Sequence, residues 1–294
     1  MIHIGIVGLD TSHSAAFADH LAAGDDATVA AVWDGGAVRD RAYRDAFRAD
    51  YGATAYDDPA AMVETVDAAM VLTADWDTHR RLAVPFLDAG VPTFVDKPLA
   101  GRVEDVDAIE RAAEGTPLSG GSALPFHPEL AVFPTDRPGR TLYCAGYDDP
   151  FYYGCHLVDT ARLLAGSDWR AVRPIDGPGS VVNVVFDGGT VATLRLDGPA
   201  DGATFGFLDV SDRTRTRAVE GSDGYDTMYK RFLDRFLDSV RGTVDDTDRL
   251  LNGGRLLLAL AAVLDDGTER TRDDPLDDVR IDGGAFLADY EPYY

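Results

Sequence analysis

Through about residue 120, short apolar runs alternate with amphipathic stretches that repeat apolar residues at helical spacing. Such runs are typical of buried strands, and the longer stretches between them are typical of helices. The predicted strands are residues 2–7, 28–33, 67–73 and 92–95. The predicted helices are residues 14–23, 38–51, 78–89 and 103–114. Alternation of the two element types predicts βαβ units and an N-terminal doubly wound parallel sheet of the α/β class.

The pattern changes near residue 121, where several prolines punctuate a loop-rich segment. Strand-like runs then dominate, at residues 140–147, 181–186, 190–196, 205–210 and 214–219. Helical spacing returns at residues 154–165, 225–240 and 249–264, and residues 265–282 form an acidic, turn-rich tail. Because strands joined without helices pair antiparallel, this half predicts a C-terminal α+β domain with an open, mainly antiparallel sheet. We therefore expect two domains, residues 1–121 and 122–294.

The charge of the chain is unusual for its length. Its 294 residues hold 27 Lys and Arg against 51 Asp and Glu, a formal net charge of -24. Such a surface repels phosphate backbones and anionic lipid headgroups, which argues against nucleic-acid and membrane partners. The acids are spread in singles and pairs, so adaptation to high salt explains them better than one acidic binding surface. In composition the chain resembles proteins of extreme halophiles.

The cysteines and the first residues bear on location. Cys144 and Cys155 form neither a disulfide framework nor a C-x-x-C pair. The chain opens on the apolar run 2–7 without a basic leader, and it contains no apolar stretch long enough to span a membrane. We expect a reduced, cytoplasmic protein. No cluster of His, Cys and Asp has metal-ligand spacing, so no metal is expected.

The turn after the first predicted strand lies where dinucleotide-binding domains carry G-x-G-x-x-G. The candidate cofactor-binding residues there are Gly8, Leu9, Asp10, Thr11, Ser12 and His13. Asp10 and His13 replace the second and third glycines, and a carboxylate beside a pyrophosphate is unfavourable. The helix N-terminus still offers N–H groups, and Thr11 or Ser12 could cap it or donate to phosphate. The alternative is that these side chains only cap the helix while His13 packs beneath it.

A carboxylate at the end of the second predicted strand bears on cofactor choice. Asp34 could accept hydrogen bonds from a ribose 2′-hydroxyl, which favours NAD over NADP. Arg39 follows closely enough to keep NADP open. A plain turn residue before Gly35-Gly36 is the competing interpretation.

Lysine is almost absent from this chain, and one of its two lysines, Lys97, follows the fourth predicted strand. The carboxyl ends of parallel strands are where such sheets bind ligands. An ammonium group can orient a hydroxyl and share its proton, whereas a guanidinium stays charged. Lys97 is therefore predicted to act chemically rather than as an ordinary surface lysine, and Asp96 beside it could pair with it or with a cofactor.

At these residues the chain resembles the Gfo/Idh/MocA oxidoreductases, a family that includes glucose-fructose oxidoreductase and inositol dehydrogenases. The segments that carry the resemblance are residues 4–8 (IGIVG), 71–73 (VLT), 77–79 (DTH), 89–99 (AGVPTFVDKPL) and 154–159 (GCHLVD). Together they span roughly the first 165 residues; the later part matches in pattern only.

The resemblance implies a Rossmann domain and an open-faced α/β domain, with NAD or NADP between them and a substrate above the nicotinamide. Lys97 would contact the reacting hydroxyl, and His156 would act as general acid and base, which suits imidazole near neutral pH. The loop with Thr73, Asp77 and His79 would surround the nicotinamide; the alternative is that Asp77 or Thr78 only caps the helix that follows. A homo-oligomer formed through the open sheet face is also implied.

Two neighbours of His156 complete the candidate catalytic set. Asp159 lies one helical turn away and is close enough in sequence to hold the ring. Many family members carry an aspartate four residues before the histidine, where this chain has Tyr152. A phenol can donate a hydrogen bond to substrate but orients a histidine less well than a carboxylate does.

The sequence thus predicts an NAD(P)-dependent dehydrogenase or reductase acting on a sugar, polyol or related secondary alcohol. Its partner would be a small carbohydrate-like molecule. Two alternatives stay open: a non-catalytic sugar-binding or regulatory protein on the same fold, and an NAD-dependent glycosidase that uses transient oxidation.

Overall fold

A computed structural model of the chain describes residues 1–292. The first sheet has six parallel strands in the order β3-β2-β1-β4-β5-β6. They are β1 Ile2–Val7, β2 Ala27–Trp33, β3 Thr54–Ala55, β4 Ala68–Val71, β5 Thr93–Val95 and β6 Leu118–Gly120. The helices that connect them are α1 Ser12–Ala23, α2 Arg41–Asp50, α3 His79–Asp88 and α4 Val103–Ala112. The strand order reverses between β1 and β4, which is where doubly wound sheets bind ligands.

The predicted parallel sheet is confirmed, and its strands are apolar because helices cover both faces. Ile4, Ile6 and Val7 on β1 are fully buried, as are all four residues of β4. Two strands, β3 and β6, were not predicted. They have only two and three residues, too few to show a periodic pattern.

The second sheet has seven strands in the order β12-β11-β7-β10-β9-β8-β13. They are β7 Thr141–Ala145, β8 Trp169–Pro174, β9 Val181–Phe186, β10 Val191–Arg195, β11 Thr204–Val210, β12 Thr214–Glu220 and β13 Arg270–Thr271. The pairing is antiparallel except between β7 and β10, which run parallel. This confirms the mainly antiparallel sheet, while β8 and β13 were not predicted.

One face of the second sheet is covered and the other is open. Helix α5, Gly154–Ala165, contacts β7 and β10. On β7 the side chains of Leu142 and Cys144 are buried, whereas Tyr143 between them is 47% exposed. This two-residue alternation is what a half-covered antiparallel sheet requires.

The chain forms two compact units, and neither unit is one continuous segment of the sequence. The first consists of residues 1–120 and 229–251 together with the described residues from 280 onward, and the second of residues 121–228 and 252–279. The sequence had suggested one division after residue 121. Helix α6, Tyr225–Val240, places Phe232 and Phe236 against the ring of Phe94, with centroids 5.2 and 5.5 Å away. Aromatic packing of this kind links segments regardless of their separation in sequence.

Two further helices complete the described chain, α7 Thr247–Asp266 and α8 Gly283–Ala288. Within residues 1–292, no helix is both long and apolar enough to cross a membrane. Cys144 and Cys155 are buried, and neither forms a disulfide within residues 1–292. Burial raises the pKa of the Cys144 thiol to about 12, which makes it a poor nucleophile.

Candidate functional site

The turn from β1 into α1 begins at a glycine that no other residue could replace easily. Gly8 has φ +97, and its N–H donates to the Trp33 carbonyl at 2.8 Å. A Cβ on Gly8 would lie 2.6 Å from Cγ2 of Thr73 and 2.9 Å from its backbone nitrogen. Only glycine tolerates both the backbone angle and this close approach. The first glycine of the dinucleotide motif is therefore required by the geometry.

Asp10 stands at the second glycine position and is only 2% exposed. Its Oδ2 accepts a hydrogen bond from the backbone N–H of Ala74 at 3.0 Å, so the carboxyl folds back onto the loop after β4. Burial raises its pKa to about 6, with Asp34 and Asp75 adding repulsion, while Ala74 and Arg39 act in the opposite direction. Asp10 therefore gains or loses its proton near neutral pH.

Asp34, at the end of β2, connects that strand to the turn between β1 and α1 by a hydrogen bond. Its Oδ1 accepts from the N–H of Leu9 and its Oδ2 from the N–H of Gly36, both at 3.0 Å. A carboxylate has about four acceptor sites, so each oxygen can still receive a ribose hydroxyl. Leu9 itself is fully buried and supports the turn from below.

The N-terminus of α1 carries a buried hydroxyl without a partner. Thr11 is the N-cap residue but its side chain makes no capping bond, and Thr11 Oγ1 is buried with no hydrogen-bond partner among the residues that the structure describes. Ser14 Oγ donates to the Thr11 carbonyl instead, and Ser12 begins the helix. A buried, unsatisfied hydroxyl beside the free N–H groups of a helix start is a site that an anion can complete.

His13 couples this helix to the strand end that bears the lysine. Its Nδ1 lies 2.8 and 3.0 Å from the two carboxylate oxygens of Asp96, and its ring stacks on Phe17 with centroids 4.9 Å apart. The backbone N–H of Lys97 donates to Asp96 Oδ1 at 2.8 Å. Burial raises the pKa of Asp96, but the charges and hydrogen bonds of His13 and Lys97 outweigh it and hold the pKa below its usual range. Lys97 is only 6% exposed.

The loop after β4 holds the remaining cofactor candidates. Thr73 Oγ1 lies 2.7 Å from Thr78 Oγ1. Asp77 accepts from the N–H of Gly283 at 3.1 Å, and burial raises its pKa above the usual range. Both ring nitrogens of His79 lie 3.0 Å from backbone carbonyls, those of Leu99 and Thr73. These contacts brace the loop, and the cofactor contact of His79 stays a prediction.

In the second unit, His156 lies on the first turn of α5 and is half-buried. Its Nδ1 lies 2.6 Å from Ser122 Oγ, and Asp159 Oδ2 accepts from the backbone N–H of Ser122 at 2.8 Å. The expected Asp159 support of His156 therefore runs through a serine that sequence reasoning missed. Ser122 follows β6, the three-residue strand that the pattern did not reveal. The available signal was a polar residue directly after the glycine pair 120–121. It would have pointed to Ser122 only if the preceding strand had been predicted.

Tyr152 lies in the turn before α5 and is 4% exposed. Its N–H donates to Asp149 Oδ1 at 2.6 Å, and its ring meets that of Tyr153 edge-on at 5.0 Å. Its carbonyl accepts from Cys155 Sγ. Tyr152 therefore packs the start of the helix that carries His156. Within residues 1–292, no group of three or more His, Cys, Asp or Glu side chains is arranged to hold a metal ion.

A parallel sheet with a reversal of strand order, a glycine turn and a helix N-terminus at that reversal is the arrangement of a dinucleotide-binding Rossmann domain. The family model described as "Oxidoreductase family, NAD-binding Rossmann fold" matches residues 2–118. Residues 2–118 are thus similar to the Gfo/Idh/MocA oxidoreductases.

Solved structures show the same fold over nearly the whole chain. Myo-inositol 2-dehydrogenase from Lactobacillus plantarum is 14% identical, with TM-score 0.75, and the match covers 92% of this chain and 99% of that one. Scyllo-inositol dehydrogenase from Lactobacillus casei, bound to NAD(H) and scyllo-inositol, has the same values. The WlbA dehydrogenase from Bordetella pertussis, in complex with NADH and UDP-GlcNAcA, is 16% identical with TM-score 0.75, covering 93% and 99%. A search of curated protein sequences found no significant match.

Proposed function

We propose that this protein is an NAD(P)-dependent dehydrogenase or reductase that acts on a sugar, polyol or related secondary alcohol. The observation that carries the proposal is the pairing of His13 with Asp96. It ties the dinucleotide turn to the strand end that bears a buried lysine, in a chain with only two lysines. Retention of an ammonium group beside a nucleotide turn fits proton sharing with a reacting oxygen.

The geometry of the turn between β1 and α1 is suited to binding the phosphates of a dinucleotide. Gly8 permits the close approach, and the unpartnered hydroxyl of Thr11 would donate to a phosphate oxygen together with the N–H groups of Ser12 and His13. Asp34 would accept from the ribose, which favours NAD. Arg39 lies over the ring of Tyr43 at 4.5 Å and is the group that would face a 2′-phosphate.

Lys97 and His156 are proposed to act on the reacting oxygen. Lys97 would donate a hydrogen bond that polarises this oxygen, and His156 would exchange its proton. When bound, the nicotinamide supplies the carbon that gives or receives the hydride. Asp96 and His13 hold the backbone at Lys97, and Tyr152 packs the helix start under His156.

Asp10 favours one competing function. When the buried carboxyl of Asp10 is ionised, it repels a pyrophosphate bound at this turn. This repulsion would not affect a sugar-binding protein that binds no nucleotide. That function predicts saccharide binding in the absence of any dinucleotide. A glycosidase that uses transient oxidation would instead require NAD and release a cleaved sugar.

We further propose that two copies associate through the open face of the second sheet. The outward side chains of its central strands β7, β10 and β11 include no acidic residue, although the chain carries a net charge of -24. Those side chains are Thr141, Tyr143, Ala145, Val191, Thr193, Arg195, Thr204, Gly206, Leu208 and Val210. An acid-free face is where two such chains meet with least repulsion.

The proposal is tested by titrating the protein in molar salt with NADH and NADPH, followed by turnover assays with inositols and sugar alcohols. We expect NADH to bind more tightly than NADPH. The Lys97→Met variant should bind NADH as the wild type does but lose at least about a hundredfold in kcat, because the donor at the reacting oxygen is gone. Lys230→Met, the matched control on an exposed helix position, should keep full activity.

Absence of binding to either dinucleotide would refute the oxidoreductase proposal. Saccharide binding under the same conditions would then favour the sugar-binding function. Cleavage of a glycoside in the presence of NAD would favour the glycosidase.

A further inference from the structure

We propose that Ser122 is a positioning residue that orients the His156 ring and sets which of its nitrogens carries the proton; as a role in catalysis, this rests on the proposed function. The two residues lie 34 positions apart and meet within the second unit. No sequence motif links them. The hydrogen bonds around the buried hydroxyl of Ser122 connect them.

The serine is fixed on three sides. Ser122 is fully buried, and its N–H donates to Asp159 Oδ2 at 2.8 Å. Its Oγ accepts from the backbone N–H of Leu124 at 3.0 Å and lies 2.6 Å from Nδ1 of His156. The Asp159 carboxylate fixes the backbone of Ser122, and the Leu124 N–H fixes its hydroxyl. The orientation of the His156 ring is therefore set by the serine rather than the reverse. The ring also contacts Phe205, whose centroid is 5.2 Å away.

The proton inventory selects one tautomer of the histidine. A serine hydroxyl has one proton to donate. Among the residues that the structure describes, the partners of Ser122 Oγ are the Leu124 N–H, which is a donor, and His156 Nδ1. Nδ1 is therefore the acceptor available to the serine proton, and a neutral His156 carries its own proton on Nε2.

A serine partner affects the protonation of the histidine ring differently from a carboxylate partner. A carboxylate only accepts, so it holds a proton on Nδ1 and leaves Nε2 as a base. Ser122 donates to the neutral ring, which makes Nε2–H a hydrogen-bond donor suited to a carbonyl oxygen. When the ring is protonated at both nitrogens, the same Oγ can accept from Nδ1–H, so the orientation is kept in both charge states.

The titratable groups that the structure describes near this ring within the second unit include Asp159 and Tyr153. Asp159 lies on the same helix and is bound to the Ser122 backbone. Tyr153 precedes the helix, with its ring centroid 6.3 Å from that of His156. Strand β11 contributes Phe205, which does not titrate.

The tautomer can be measured without substrate or cofactor. In proton–nitrogen correlation spectra recorded where imidazole is neutral, we expect His156 to show a protonated Nε2 and an unprotonated Nδ1. The signal is assigned with His156→Gln, which removes one of the six histidines. In Ser122→Ala the single tautomer should give way to a mixture. A proton on Nδ1 in the wild type, or the same tautomer in Ser122→Ala, would overturn the inference.

Kinetics test the positioning role once turnover is established. Ser122→Ala keeps the N–H that Asp159 binds and removes only Oγ. We expect kcat to fall about tenfold, as for loss of one hydrogen bond to an acting group, while KM changes less than about twofold. Ser122→Thr, which restores a hydroxyl, should recover most of the loss.

The matched control is Ser119→Ala. Ser119 is also buried near the end of β6, but within residues 1–292 its Oγ has no hydrogen-bond partner, so its loss should leave kcat unchanged. Equal losses in both variants, or no loss in Ser122→Ala, would contradict a positioning role. If the wild type turns over no sugar or polyol, the proposed function fails, and the nitrogen spectra still decide whether Ser122 sets the tautomer.

Discussion

Asp10 departs furthest from the expected chemistry of its position. Its carboxyl is buried in the dinucleotide turn and bonded to the Ala74 N–H, and its pKa of about 6 lies above the ordinary value of 3.8. Between these two values the folded protein holds a proton that the unfolded chain has lost. Stability from this group is therefore present at low pH and lost as pH rises through about 6. Because a neutral carboxyl also avoids repelling a pyrophosphate, we expect the affinity for a dinucleotide to fall over the same pH range.

Asp10→Asn should remove this pH dependence. Asparagine keeps an oxygen for the Ala74 N–H but carries no charge, so we expect the variant to be more stable than the wild type by about 1–3 kcal/mol above pH 7. The difference should vanish toward pH 4. Urea unfolding across this pH range measures it, with the exposed Asp25→Asn as the control for loss of one acid. A variant no more stable than wild type at high pH would show that Asp10 is not a buried acid of this kind.

At the scale of elements, the end of β6 depends on one glycine. Gly120 has φ +136, and a Cβ there would lie 1.9 Å from the carbonyl oxygen of Val95 on the neighbouring β5. Backbone atoms within a strand pair cannot move aside. The close pairing matters because β5 leads into Lys97 and β6 leads into Ser122.

Gly120→Ala should therefore destabilise the fold by about 3 kcal/mol or more, since strain at the backbone angle adds to a clash with backbone. Gly115→Ala is the matched control. Gly115 also has a positive φ, of +80, but a Cβ there meets nothing within 4 Å. Its cost should be only the backbone strain, about 1 kcal/mol. Equal denaturant midpoints for the two variants would show that the approach of β5 to β6 is not limiting.

At the scale of the whole molecule, charge is the dominant property. A net charge of -24 opposes association wherever acids face each other, and the open face of β7, β10 and β11 avoids this. Tyr143 and Val210 on that face are 47% and 42% exposed. These two exposed side chains lie on the face through which we propose that two copies associate.

We expect light scattering in molar salt to give at least twice the chain mass of 31.6 kDa. Tyr143→Glu places a charge at the centre of the face and should yield monomers, because two like charges would then be buried together. Leu163→Glu, at a 40% exposed position on α5, controls for the added charge. An unchanged mass for Tyr143→Glu would place the contact elsewhere or exclude it.

Features that depend on local residue patterns could be predicted from the sequence. Alternation of strand-like runs and helical spacing predicted the parallel sheet, because periodicity reflects which side of an element is buried. The position of Lys97 after a strand could also be predicted, since strand ends in such sheets share one edge. The near absence of lysine elsewhere made this residue stand out.

Which side chains meet in the folded protein could not be predicted from local patterns. His13 and Asp96 are 83 residues apart, and Ser122 and His156 are 34 apart. Strand β6, which brings Ser122 to its place, is too short to show a period. The return of α6 to the first unit depends on aromatic packing against Phe94. Hydrogen bonds and ring contacts depend on spatial proximity, and a local pattern records which residues are buried but not which partner each will find.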